Sequence, residues 1–484
     1  MEEVDIALVT KRSIRGIFAL TSRTFFVQLV GFVSTLLLTI YLSPSVFGIF
    51  FVVSAAIAFL SYFSDIGLAA ALIQKKESPT REELRTTFTI QQVLVTIVCA
   101  IALLLSGTIA SFYNLEENGL WLLRALVVAF FLSSFKTIPS IILERELRFE
   151  KLVVPQIVET LLFNISAVVL AMAGFGVLSF AVAVLLRGIG GVITIYLINP
   201  WRIGFSFSKP AARRLLSFGI PFQANSFLAL LKDDLLIVYI GKVLPLAQVG
   251  YIGFAQKWAL MPLRLVMDNV IRITFPSFSR LQREKETLGK GIEKAIFASC
   301  LIVFPALIGL VVMSPYFVNL IPKYIKWEPA LFSLAFFSLN AALSCVSTPL
   351  TNALNAIGKI KTTLYLMIFW TGATWILTPL AIYMYGFNGV SIASAIIATS
   401  VVGVVYLVKQ HINFSIVKIT GYPAFSALLM GTVVYLLSPH VVKDFPTLIF
   451  MIILGVVIYF LTMLALARSQ MVEDFKLVKA NLQK

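Results

Sequence analysis

Apolar residues along this chain gather into roughly fourteen runs, the first at residues 17–41 and the last at 446–467, separated by short polar stretches. A helix needs about 20 apolar residues to cross the hydrocarbon of a bilayer. Nearly all the runs reach that length; 423–438 is the shortest. No polar stretch between them is long enough to fold as a domain. The pattern therefore predicts an all-α polytopic membrane protein of about fourteen transmembrane helices. Pro221, Pro262, Pro305, Pro349 and Pro379 interrupt several runs, which membrane helices tolerate where neighbours or water satisfy the freed backbone groups.

The polar stretches alternate in charge. With the N-terminus placed in the cytoplasm, the inside loops and tails collect about 27 Lys and Arg, from Lys11 to Lys484. The outside loops hold about four, Lys242, Lys323, Lys326 and Lys443. So lopsided a distribution predicts an even number of spans in a cytoplasmic membrane with both termini inside. After Arg468, Val472, Phe475, Val478 and Leu482 recur at helical spacing beside Lys476 and Lys479, which predicts an amphipathic helix on the inner surface.

Composition narrows the class. Hydrophobic residues make up 59% of the 484 and charged residues only 13%, about half the charged share of globular chains. The net charge of +16 resides in short loops rather than in a basic domain, so its partner is the anionic headgroup layer and not nucleic acid. Cys99, Cys300 and Cys345 lie far apart in apolar runs and read as small core residues. His411 and His440 are the only histidines. No metal site or bound cofactor is expected.

Two segments resemble each other. Tyr41-Leu-Ser-Pro44-Ser-Val-Phe-Gly48 parallels Lys242-Val-Leu-Pro245-Leu-Ala-Gln-Val-Gly250, and Asp65 has a counterpart in Asp268, all at offsets of 201–203 positions. A near-constant offset marks a duplicated unit. Six spans separate the copies, so both keep one orientation, and the halves are related by an axis along the membrane normal. In transporters built this way the substrate site lies between the halves.

A dozen charges remain inside the runs: Arg23, Asp65, Arg124, Lys136, Glu159, Arg187, Lys232, Asp233, Asp234, Lys257, Arg264 and Asp268. Each costs about 2.5–3.5 kcal/mol at a helix centre on insertion scales, so such residues face a cavity or a partner. Arg124 and Lys136 are near span ends and are expected to snorkel. Depth along the first helical hairpin predicts an Arg23–Asp65 pair, depth along the second an Asp233–Lys257 pair, and the i,i+4 spacing an Arg264–Asp268 pair. The deep cations Arg23, Arg187, Lys232, Lys257 and Arg264 are the candidate substrate contacts. Asp65, Asp233, Asp234 and Asp268 are the candidate ion-pair or coupling carboxylates. Amides such as Gln91, Gln92, Gln156, Gln223, Asn340 and Asn352 suit either a glycan or helix-to-helix contacts.

Several segments together resemble the polysaccharide transporter family of Wzx-type oligosaccharide flippases, within the MATE-like MOP superfamily. They are Ser64-Asp-Ile-Gly-Leu-Ala-Ala-Ala-Leu-Ile-Gln-Lys-Lys76, Glu144-Arg-Glu-Leu-Arg-Phe149, Phe218-Gly-Ile-Pro221, Phe275-Pro-Ser-Phe-Ser-Arg280 and Asn352-Ala-Leu-Asn-Ala-Ile-Gly-Lys359. The resemblance implies a lobe over residues 1–208, a second over 209–410, an extra helix pair over 411–467 and the amphipathic tail 468–484, with the two six-helix lobes forming a V. It implies translocation of an undecaprenyl-diphosphate-linked oligosaccharide, with lipids and other polysaccharide-assembly membrane proteins as candidate partners. It also implies a cationic cavity, for which Arg23, Arg187, Lys232 and Lys257 are the candidates here. One departure is Lys232-Asp-Asp234, where family members often carry Arg or Asn beside an Asp.

The rival reading within the same fold is a cation-coupled drug or small-solute antiporter, which needs a more acidic cavity. A membrane enzyme is disfavoured, because the longest outer loop, about Ser314 to Trp327, carries no Asp, Glu or His. Coupling to H+, to Na+ or to the membrane potential is left open by the sequence.

Overall fold

A computed structural model describes Thr24, residues 26–75 and residues 77–482, without the side chains at 65, 221, 222, 224–226 and 468–482. Among the described residues the chain is helical throughout, with no strand. The helices are α1 (Phe26–Tyr41), α2 (Pro44–Asp65), α3 (Leu68–Gln74), α4 (Arg81–Leu104), α5 (Ser106–Phe112), α6 (Glu117–Ser134), α7 (Thr137–Arg145), α8 (Phe149–Met172) and α9 (Val177–Ile198). They continue with α10 (Lys209–Val243), α11 (Leu246–Arg280), α12 (Lys285–Leu320), α13 (Ala330–Ala356), α14 (Ile360–Tyr385), α15 (Asn388–Ala398), α16 (Val401–Lys409), α17 (Val417–Val441) and α18 (Phe445–Leu482).

Eleven helical segments among the described residues are long and apolar enough to cross a membrane, counting α15 and α16 as one, and α1 is a shorter apolar helix. The protein is a multi-pass membrane protein. The helices α10 and α11, each 35 residues, have the length but are more polar than the eleven.

Two compact units divide the chain, residues 1–250 and 251–484. In the first, α2 packs along α10 through close backbone approaches. Helix α2 ends where Ile66 and Gly67 turn left-handed, at φ 47° and 74°, a conformation that glycine adopts without strain. The Gly67 backbone lies directly against that of Gly219 on α10, with no room for a Cβ on either. Two of the segments that carried the family resemblance thus meet backbone to backbone. Beside this contact, Gln223 Nε2 donates to the Tyr62 carbonyl at 3.1 Å, and the Tyr62 hydroxyl donates to the Gln223 carbonyl. Gly48 and Gly250, which the internal repeat aligns, meet reciprocally: Gly48 lies on the Leu246 carbonyl and Gly250 on the Pro44 carbonyl.

The C-terminus of α3 exposes carbonyls that have no partner within the helix. The Arg145 guanidinium from α7 supplies donors to the carbonyls of Leu72, Lys75 at 2.7 Å and Glu77 at 2.9 Å. This joins a third resemblance segment, Glu144–Phe149, to Ser64–Lys76, and the reason for an arginine there is its fork of donors. Helix α4 begins with a capping box: the Glu83 backbone N–H donates to Thr80 Oγ1 at 3.2 Å, and the Thr80 N–H donates to the Glu83 carboxylate at 2.9 Å.

The second unit is built round α12 and α13, whose buried residues include Leu288, Ile296, Leu307 and Leu350, with Met451 and Tyr459 from α18. Cys300 and Cys345 are buried there and Cys99 in the first unit, all three as free thiols. Near the start of α13, Trp327 is fully buried and stacks on Phe254 of α11, with centroids 4.4 Å apart.

Candidate functional site: charges within the membrane helices

In the first unit, Lys136, Glu159 and Arg187 come together from the α6–α7 junction, α8 and α9. Lys136 Nζ lies 2.6 Å from Glu159 Oε1, and Arg187 Nε lies 3.7 Å from Glu159 Oε2. The junction follows from local sequence. Pro139 cannot continue α6, because its ring would clash with the carbonyl four residues back. The hydroxyls of Ser133 and Ser134 donate to carbonyls in the last turn of α6 at 2.7 and 2.6 Å. From α4, Gln92 Nε2 donates to Ser134 Oγ at 2.7 Å and Gln91 Nε2 to Thr137 Oγ1 at 2.8 Å. Lys136 therefore leaves a helix break rather than snorkelling to the membrane surface, which corrects the expectation from its position in the run. Gly191 on α9 makes room for the acid, since a Cβ there would overlap the Glu159 carboxylate.

Arg124 Nε donates to Ser106 Oγ at 3.3 Å, and its guanidinium lies 5.3 Å from the Trp121 ring. On α10, Lys232 Nζ pairs with Asp233, its own neighbour, at 2.9 Å. The expected partner of Asp233, Lys257, belongs to the second unit. Asp234 is half-buried and makes no ion pair among the described residues.

In the second unit, Lys257, Arg264 and Asp268 lie on one face of α11 at i, i+7 and i+11, and all three are exposed. The expected Arg264–Asp268 pair does not form. With the base N-terminal to the acid, the order along the helix is the less favourable one. Arg23 lies outside the described residues, as does the side chain of Asp65, and with them their expected pair. The tail residues Val472, Phe475, Val478 and Leu482 are helical and follow a kink at Ala467, where φ is −123° and ψ 29°, with side chains outside the description.

Five of the six candidate amides serve helix contacts: besides Gln91, Gln92 and Gln223, Asn352 Nδ2 donates to Thr274 Oγ1 at 2.8 Å and Asn340 Nδ2 to the Ser394 carbonyl at 2.9 Å, whereas Gln156 Oε1 is buried with no partner among the described residues. The reading of the sequence missed Glu83. Its side chain is 3% exposed and pairs with Lys75 at 2.9 Å and Arg214 at 3.4 Å. The signal was present, because Thr80-Arg-Glu-Glu83 before an apolar run is a capping box.

The chemistry on offer is cationic. Among the described residues, the one ion pair of the Arg187 guanidinium is long, and Lys257 and Arg264 make none. No group of three or more His, Cys, Asp or Glu capable of holding a metal ion occurs among the described residues. Guanidinium and ammonium groups hold phosphate oxygens well, arginine in bidentate fashion.

A family model described as "Polysaccharide biosynthesis protein" matches residues 37–331. Among curated proteins, the lipopolysaccharide biosynthesis protein WzxC of Escherichia coli is 27% identical over 71% of this chain and 69% of its own length. The succinoglycan biosynthesis transport protein ExoT of Rhizobium meliloti is 23% identical over 90% of each chain. Among solved structures, the lipid II flippase MurJ in an inward closed conformation superposes with a TM-score of 0.78, covering 93% of this chain and 99% of that one, at 15% identity. An inward-facing multidrug resistance MATE transporter of the MOP superfamily superposes with 0.59, covering 79% and 95%, at 17% identity.

Proposed function

The chain belongs to the polysaccharide biosynthesis protein family, and from that premise we propose that it translocates a polyprenyl-diphosphate-linked oligosaccharide across the cytoplasmic membrane by alternating access. It is a membrane transport protein of polysaccharide biosynthesis and not an enzyme. The observation that carries the finer reading is that three cations on long helices, Arg187, Lys257 and Arg264, are not fully neutralised by any acid among the described residues. A lipid-linked glycan presents a diphosphate that hydrocarbon rejects, and these side chains supply its counter-charge. The names of WzxC and ExoT support the pathway, and that of MurJ supports a lipid-borne cargo on this fold. The basic loops favour cytoplasmic termini.

The test is rescue of surface polysaccharide in a host deleted for its own flippase. The native chain restores the polymer, and Lys257→Ala lowers it without lowering membrane abundance. Full polymer from both Lys257→Ala and Arg187→Ala would remove the diphosphate reading. The second reading, a drug or solute antiporter, is favoured by one feature, the exposed and unpaired carboxylate of Asp268. Drug tolerance conferred on a sensitive host without polymer rescue would select it.

A further inference from the structure

We propose that Lys136 is a positioning residue that keeps Arg187 available to an anion, by giving Glu159 a permanent counter-ion. This rests on the reading of the cargo as a lipid diphosphate. The three groups are level in the membrane. Lys136 lies 9 residues before the end of α7, Glu159 10 after the start of α8 and Arg187 11 before the end of α9. At about 1.5 Å per residue, each is about 14–16 Å from a helix end that adjoins a basic loop. At that depth an ionised carboxylate needs a partner, and Glu159 has two cations within 4 Å.

The two contacts are unequal. Lys136 is 2.6 Å away with 22% of its side chain exposed, a direct charge-assisted hydrogen bond. Arg187 is 3.7 Å away with 56% exposed, beyond hydrogen-bonding distance. The triad holds one acid and two bases, so one positive charge is in excess, and geometry assigns it to the exposed guanidinium. Two features fix this division. Lys136 is held at the α6–α7 break by Pro139 and the Gln91 and Gln92 contacts, and the Glu159 carboxylate sits in the space that Gly191 leaves open. Remove Lys136, and the cation left within 4 Å of Glu159 among the described residues is Arg187, whose fork then closes on the acid instead of on a phosphate.

The experiment measures binding of farnesyl diphosphate to the full-length protein in detergent. Arg187→Ala weakens binding by about tenfold or more, the loss of one charge-assisted contact. Lys136→Met, which leaves Arg187 in place, weakens it to a similar degree. The double variant Lys136→Met with Glu159→Gln recovers to within about threefold of the native chain, because nothing then sequesters the guanidinium. Native affinity in Lys136→Met, or a double variant as weak as Lys136→Met, overturns the proposal while leaving the cargo reading intact. Native affinity in Arg187→Ala overturns the cargo reading at this residue, and the proposal with it. Should Lys136→Met not give monodisperse protein, Glu159→Gln alone decides: binding two- to threefold tighter than native, roughly, supports the proposal, and binding weaker than native overturns it.

Discussion

The triad of the first unit and the stripe along α11 draw on the same residue types, yet Lys136 and Arg187 both lie within 4 Å of Glu159, while Lys257, Arg264 and Asp268 stand exposed with no ion pair among the described residues. The difference lies in where the partner comes from. Glu159 meets cations carried by other helices, which helix packing can bring to 2.6 Å. Arg264 and Asp268 have only each other on one helix, in the less favourable order. A charge in a membrane helix is therefore neutralised when a second helix delivers the counter-charge and stays open when it does not. On α10, the Lys232–Asp233 pair is an intermediate case, formed between neighbours with side chains 29% and 65% exposed.

Substitutions that treat the two regions alike would break this comparison. The largest effect is expected from Gly191→Val, which drives a side chain into the Glu159 carboxylate. Overpacking of this kind costs about 1–3 kcal/mol, so the thermal midpoint of the purified protein should fall clearly. The matched Gly403→Val, where an added Cβ meets nothing, should change it little. Next come Lys257→Ala and Arg264→Ala, each expected to lower polymer rescue by about tenfold, the worth of one charge-assisted contact, at native membrane abundance. A fall in abundance for these two would mean that the stripe, like the triad, holds the fold together.

Lys232→Met sharpens the comparison from the middle. A largely exposed ion pair is worth about 0–1 kcal/mol, so the thermal midpoint should stay close to native; a drop as large as that of Gly191→Val would place this pair with the triad. The smallest effect concerns a capped terminus outside the membrane. The hydroxyl and backbone N–H of Thr447 donate to the Asp444 carboxylate at 2.6 and 3.0 Å and hold it below its ordinary pKa. The sign follows from a lowered carboxylate pKa. The cap is fully formed above the ordinary Asp value and is lost as pH falls through the lowered one. The protection of the Thr447 amide, relative to its intrinsic exchange rate, should fall in acid, and Asp444→Ala should show the lower protection already at neutral pH.

How much of this was legible beforehand depends on the range of the signal. The apolar runs announced the helices, since crossing a bilayer is decided by local hydropathy, and only α10 and α11 are too polar to stand with the eleven strongest. Pro139, and Thr80 with Glu83, carried local signals of a break and a cap that the reading of the sequence passed over. The pairing of Glu159 with Lys136 was not legible, because the 23 positions between them in sequence say nothing about which helix faces meet. For the same reason, Arg145 gave no sign that it would cap α3 across more than 65 positions, as it does at the Glu77 carbonyl.

By itself, the sequence determined that this is a helical membrane protein with sorted loop charges and an inventory of buried ions, because hydropathy and charge act residue by residue. Only the tertiary structure decided which of those ions are neutralised and which stay open. That choice turns on distances of a few ångströms between helices, set by glycine contacts and helix breaks such as Gly191 and Pro139, and Coulomb energy in a low-dielectric interior is steep on that scale.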